Sequence, residues 1–150
     1  TAGGIARALP LLADCFWVVA GDVFMPGFDF PQAAYERFAA GDALAHLWLV
    51  PNPPHHPGGD FGIAPDGRAL NQAPEGAPRW TFSTVGLYKR ALFAGLPAGN
   101  PEGVKAPLAP LLRTAMDNGL VTAQRWTGPW TDVGTPERLA ALNAESAPAR

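Results

Sequence analysis

Apolar and polar positions change rhythm repeatedly along this chain, and each change marks an element. Residues 15–20 (CFWVVA) are a continuous apolar run, the pattern of a strand buried on both faces, as in a parallel sheet. The run stops at Gly21-Asp22, a glycine and an acid. Before it, residues 6–12 read as a short apolar helix stopped near Pro10. Residues 31–40 follow helical spacing, with Pro31 in the first turn, Gly41 past the end, and Ala34, Tyr35 and Phe38 as the apolar face. Residues 45–50 (AHLWLV) predict a second strand, closed by Pro51. Residues 61–63 and 68–70 predict a hairpin around Pro65-Asp66-Gly67. Residues 80–88 (WTFSTVGLY), rich in aromatic and β-branched side chains, predict a strand, and residues 89–96 a short helix. Leu108, Leu111, Leu112, Ala115 and Met116 share one helical face, with Gly119 just beyond it. Residues 121–130 hold two strand-like pieces around Thr127-Gly128. Thr135-Pro136-Glu137 reads as a helix start, with Thr135 as cap, Pro136 in the first position and an acid in the first turn. Leu139, Leu142 and Ala140 give that helix an apolar side, and the tail from Ser146 reads as frayed.

This alternation predicts an α/β fold with a mainly parallel sheet and helices on both faces. Residues 52–59 and 71–78 are loops by composition, and no repeat or linker divides the chain, so residues 1–150 are expected to form one domain.

Composition narrows the function classes. The 150 residues are 47% hydrophobic and 16% charged, a globular balance able to bury a core. A net charge of -2 argues against a nucleic-acid footprint, which needs a basic patch. No apolar run nears the roughly 18 residues of a membrane span. One cysteine, Cys15, permits no internal disulfide, which makes a reducing cytoplasm the default and Cys15 a core residue.

Ligands of parallel α/β sheets gather at the carboxyl ends of the strands. Two acids fall there: Asp22 after the first strand, and Asp132 inside Trp-Thr-Asp-Val-Gly-Thr. Gly21 before Asp22 and Gly134 after Asp132 permit close backbone approach to a ligand. Two converging carboxylates suit Mg²⁺, which takes one or two protein carboxylates plus phosphate oxygens. The alternative is that each acid satisfies backbone N–H groups at a turn. Gly3-Gly4 opens a helix, where N–H groups favour an anion or a base, or is an ordinary turn. Asp60 stands at the hairpin entrance, able to accept from a substrate hydroxyl or amide, or to cap the loop. Lys105 precedes the long helix, placed to meet a phosphate or to be solvated. His55-His56 lack a third ligand at metal spacing.

Several of these stretches together resemble the sugar-1-phosphate nucleotidyltransferases. They are Thr1-Ala2-Gly3-Gly4-Ile5 with Ala8-Leu9-Pro10-Leu11-Leu12, Gly21-Asp22-Val23, Ala45-His46-Leu47, Pro51-Asn52-Pro53-Pro54-His55-His56 and Gly59-Asp60-Phe61. Thr81-Phe82-Ser83, Ala109-Pro110-Leu111-Leu112-Arg113 and Trp130-Thr131-Asp132-Val133-Gly134-Thr135-Pro136-Glu137-Arg138-Leu139 complete the set, which covers nearly the whole chain. The resemblance implies a Rossmann-like nucleotide-diphospho-sugar transferase fold. It also implies attack of a sugar 1-phosphate on a nucleoside triphosphate, with pyrophosphate release. Within the family the match points to UTP and N-acetylmuramate 1-phosphate, in cell-wall sugar recycling; mannose or glucose 1-phosphate is the alternative sugar. It further implies Mg²⁺ held by Asp22 and Asp132, the nucleotide base near Gly3 and Gly4, and the sugar near Asp60 and Ser83. Lys105 would add positive charge, although Pro107 occupies the place of the family's lysine. The family's N-terminal Gly-rich loop, with an arginine and a Pro-Lys pair, is absent from these residues. The resemblance therefore implies the C-terminal part of the enzyme, lacking its triphosphate loop. As written, the chain also fits a non-catalytic nucleotide-sugar-binding module.

Overall fold

In chain order the elements are α1 (Ala2–Ala8), β1 (Cys15–Val18), β2 (Val23–Phe24), α2 (Gln32–Ala40), β3 (Ala45–Val50), β4 (Gly62–Ile63), β5 (Ala69–Leu70), β6 (Thr81–Lys89), α3 (Leu108–Asp117), β7 (Val121–Arg125), β8 (Thr131–Asp132) and α4 (Pro136–Ser146). Short 3₁₀ turns follow α1 (Leu9–Leu11) and β6 (Arg90–Phe93). The structure is a computed structural model that describes residues 1–146. The expected frayed tail from Ser146 lies outside the described residues, Ser146 itself closing α4.

The main sheet has four strands in the order β1-β6-β3-β7. β6 runs antiparallel to both β1 and β3, and only β3 and β7 are parallel. The sheet is therefore mixed, not mainly parallel. The apolar runs report burial on both faces, which follows from a covered sheet and says nothing about strand direction. Helices do cover both faces. α1 and α3 pack on one, around Leu47, Leu49, Phe16, Phe93 and Val121, while α2 packs on the other through Ala34 and Phe38 against Trp48, Val85 and Leu87. Successive residues of β3 and β6 alternate between the two cores, as the pleat requires.

Two expectations shift. β1 is an edge strand in which only Phe16 is buried, and Val19, beyond its end, is 44% exposed. The first helix starts four residues earlier than the apolar pattern suggests, because the Thr1 hydroxyl accepts from Gly4 N and caps it. Both glycines thus lie inside α1. The hairpin, the α3 boundary and the left-handed Gly67 and Gly119 fall where the sequence predicts them.

β6 is interrupted. Leu47 faces Gly86 and Leu49 faces Phe82, so Ser83, Thr84 and Val85 stand opposite the single residue Trp48. This bulge is pinned at two points: Ser83 Oγ accepts from Val85 N at 3.2 Å, and Trp130 Nε1 donates to Ser83 O at 3.1 Å.

Candidate active site

The sequence gives no sign of β2, since a two-residue strand leaves no periodicity to detect. It pairs antiparallel with β8, Val23 facing Asp132 and Phe24 facing Thr131, and Val133 N donates to Asp22 O at 2.9 Å. This ribbon, rather than a common edge of the main sheet, draws the two acids together. A Cβ built on Gly134 would lie 3.0 Å from Asp132 Oδ1 and 3.0 Å from Asp22 Oδ2. The carboxylates thus flank one cradle that any side chain at 134 would fill.

The two acids differ in their surroundings. Asp132 Oδ1 accepts from Gly134 N at 2.8 Å and lies 3.3 Å from Arg138 Nη2. Its other oxygen, Oδ2, lies 3.7 Å from His55 Nε2. The Thr135 hydroxyl accepts from Arg138 N and fixes the start of α4, which sets the arginine beside Asp132. Asp22 is exposed, and its carboxylate makes no hydrogen bond or ion pair to another described residue. Among the described residues, no three His, Cys, Asp or Glu side chains gather as a complete metal shell. The two carboxylates fit Mg²⁺, which keeps several waters and takes phosphate oxygens for the rest, with the Arg138 guanidinium, its Nη2 3.4 Å from the same point, as the cation now beside them.

Residues 51–60 form one wall. Asn52 is their hub: its Nδ2 donates to Pro57 O at 3.0 Å and Arg79 O at 3.1 Å, and its Oδ1 accepts from the Thr81 hydroxyl at 3.0 Å. Gly59 has φ +59, and a Cβ there would lie 2.7 Å from Asn52 Oδ1, so no other residue fits. Asp60 braces the wall against β6. Its Oδ2 accepts from Phe82 N at 2.8 Å, its Oδ1 lies 3.1 Å from His56 Nε2, and its carbonyl accepts from Arg79.

Two hollows open here. One, of about 330 Å³, is lined by Asp22, Asp132, His55, His56, Asp60 and Trp130 among others. The second, of about 500 Å³, lies between α1, β1, α3 and β6, with Ile5, Val18, Leu108, Leu112, Tyr88 and Arg113 in its walls. Asp60, Phe82 and Thr84 line both.

Asp22, Asp132 and Asp60 therefore share one hollow, while the other sequence-predicted residues stand apart from it. Ser83 is fully buried in the bulge and lines neither hollow. Gly3 is packed so tightly under the segment before α3 that a Cβ would meet Val104 O at 2.4 Å, and its N–H is held by Ala106 O. Gly4 N is taken by the Thr1 hydroxyl. Gly21 is exposed with open space around it, and Lys105 is exposed and lines neither hollow. Sequence reasoning missed Thr84, whose β-branched side chain signals strand and nothing more, and Arg138, which reads as an ordinary helix-surface cation.

The α/β fold matches about three fifths of the length of solved nucleotidyltransferase structures. A Bacillus anthracis chain provisionally assigned as a glucose-1-phosphate thymidylyltransferase superposes with a TM-score of 0.69 at 18% identity, over 100% of this chain and 62% of that one. The inositol-1-phosphate CTP transferase of T. maritima gives 0.67 at 16% identity, over 97% and 60%. The likeness extends to sequence: a curated relative, N-acetylmuramate alpha-1-phosphate uridylyltransferase of Neisseria meningitidis serogroup B, is 45% identical over 146 residues. That match covers 96% of this chain and 61% of the relative, so the chain spans about three fifths of the relative's length. The resemblance to the sugar-1-phosphate nucleotidyltransferases therefore holds at the level of both fold and sequence. No family model matches the chain.

Proposed function

We propose that the protein carrying this chain is a nucleotidyltransferase that joins UTP to N-acetylmuramate 1-phosphate and releases pyrophosphate, in cytoplasmic recycling of cell-wall sugar. Asp22 and Asp132 would hold Mg²⁺, which when bound neutralises charge on the reacting phosphates. The observation that carries this reading is the cradle at Gly134, where one point lies 3.0 Å from a carboxylate oxygen of each acid and 3.4 Å from Arg138 Nη2. The 45% identity to the meningococcal uridylyltransferase supports the choice of sugar and base.

The chain's own residues supply position and charge balance, which is most of what nucleotidyl transfer asks of a protein. Asp132 is held rigid by Gly134 N and Arg138, so its second oxygen keeps a fixed direction. His55 and His56 are the basic side chains of the smaller hollow, which also holds Asp22, Asp60 and Asp132; His56 Nε2 is taken by Asp60 Oδ1, so His55 is the one placed to offer a donor to a phosphate oxygen. The larger, mainly apolar hollow can enclose the body of a sugar while its phosphate end lies at the acids.

The test is pyrophosphate release from UTP and N-acetylmuramate 1-phosphate in wild type, Asp22→Asn and Asp132→Asn. Each substitution is expected to lower kcat at least a hundredfold. Full activity in both variants refutes the assignment. Faster turnover with mannose or glucose 1-phosphate would move the enzyme to another sugar. Product-induced thermal stabilisation without turnover would make it a binding module.

A further inference from the structure

Thr84 is the most strained residue of the sheet and the least explained. Its φ is +66, a region that β-branched residues rarely occupy, in the middle of a nine-residue strand. The bulge that imposes this conformation is actively held by Ser83 Oγ and by Trp130, two residues before Asp132. The hydroxyl of Thr84 is buried and has no hydrogen-bond partner. A buried orphan hydroxyl destabilises the free protein, so both the backbone and the side chain stand in an unfavourable state that folding alone does not require.

The position of Thr84 gives that state a use. With Asp60 and Phe82 it lines both hollows, the apolar one and the one holding the paired acids. A ligand with its body in the first and its phosphate in the second must pass over Thr84. A second hydroxyl stands on the same face of β6: Tyr88, fully buried, has its Oη unpartnered and lines the larger hollow. Its ring folds back over Gly86, where an added Cβ would meet Oη at 3.0 Å. Asp60, the third polar group at the junction, already has both carboxylate oxygens engaged. A 120° step about χ1 of Thr84 carries the hydroxyl to the place now held by its methyl group or by its Cβ hydrogen, and so can bring an unsatisfied donor and acceptor to the passage.

We propose that Thr84 is a specificity-determining residue that contacts substrate, its hydroxyl hydrogen-bonding a ring hydroxyl of the sugar 1-phosphate where the two hollows meet. This rests on the reading of the site as a sugar-1-phosphate site. The strained bulge then serves to hold Thr84 at the junction of the two hollows, and substrate supplies the partner its hydroxyl lacks.

Rates of pyrophosphate release in wild type, Thr84→Val and Thr84→Ser test this, in the intact protein carrying the chain. The valine variant is expected to lose about tenfold in kcat/KM for N-acetylmuramate 1-phosphate, the size of one neutral hydrogen bond. Its KM for UTP should hold, its thermal midpoint should hold or rise now that the unpartnered hydroxyl is gone, and serine should keep the wild-type rate. Equal kcat/KM in valine variant and wild type overturns the proposal. So does a loss shared by UTP and the thermal midpoint, which marks a purely structural role. Should the valine variant not fold, Thr84→Ala carries the same test. If the wild type releases no pyrophosphate, the transferase reading fails by itself, and calorimetric titration with the sugar 1-phosphate decides on Thr84. Weaker binding in the valine variant supports its role; equal binding, or none in wild type, removes it.

Discussion

The four-stranded sheet and the β2–β8 ribbon hold their shapes by different physics. The sheet is covered on both faces, with Leu47, Trp48, Leu49 and Leu87 at 0–1% exposure. Its stability comes from apolar area removed from water, spread over many side chains. The ribbon has two residues in each strand and little burial. It depends on a few directed contacts: Val133 N to Asp22 O, Gly134 N to Asp132 Oδ1, and Arg138 beside the same carboxylate. The sheet should therefore determine whether the chain folds, and the ribbon whether the folded chain acts.

The largest expected effect that would sharpen this division is on the sheet. Trp48 packs against Trp17, Phe28 and His46, with ring centroids 5.0, 5.2 and 4.6 Å away. Trp48→Ala should cost about 3–5 kcal/mol in urea unfolding, while the fraction that remains folded binds nucleotide-sugar product with wild-type affinity. Normal stability, or lost affinity in the folded fraction, would break the division.

A second effect on the sheet depends on pH. Burial lowers the pKa of His46 to about 4, with a weaker contribution from Arg37. Nδ1 lies 2.8 Å from the Thr122 hydroxyl, and Nε2 has no partner. The folded value lies below that of the unfolded chain, so the unfolded state takes up the proton first as pH falls. Stability should decline from about pH 6.5 and level off below about pH 4, by roughly 2 kcal/mol at pH 5. His46→Gln should flatten the urea midpoint across that window. An unchanged slope would show that another group titrates there.

These two regions also divide what the sequence could tell. The apolar runs of β3 and β6 and the face of α3 announce themselves, because burial writes a periodic pattern into the chain. Strand direction does not, since a central strand is buried whichever way its neighbours run, and the mixed sheet could not be read from it. Asp22 and Asp132 were legible as acids beside glycines. The ribbon that joins them was not, because pairing across more than a hundred residues leaves no local trace in Val23-Phe24. Asn52 and Asn100 were invisible for a similar reason. Asn100, buried and bonded to Gly3 O, Val104 O and Val104 N, looks like any loop asparagine until its partners are placed.

The smallest effect on stability belongs to the ribbon and has the opposite signature. Gly134 is exposed and is not held at positive φ, so Gly134→Ala should change stability by less than about 0.5 kcal/mol. Its methyl group would occupy the cradle, however, and Mg²⁺-dependent pyrophosphate release should fall about tenfold or more. Wild-type activity in this variant would mean that the space between the carboxylates is not used.

That space is the centre of the account, and a metal with an anomalous signal can be sought in it directly. In crystals of the intact protein grown with Mn²⁺ and the UDP-sugar product, the anomalous difference map should show one strong peak between Asp22 and Asp132, lost in Asp22→Asn. A peak bound to other residues, or none at this cradle while the product is well ordered, would contradict it.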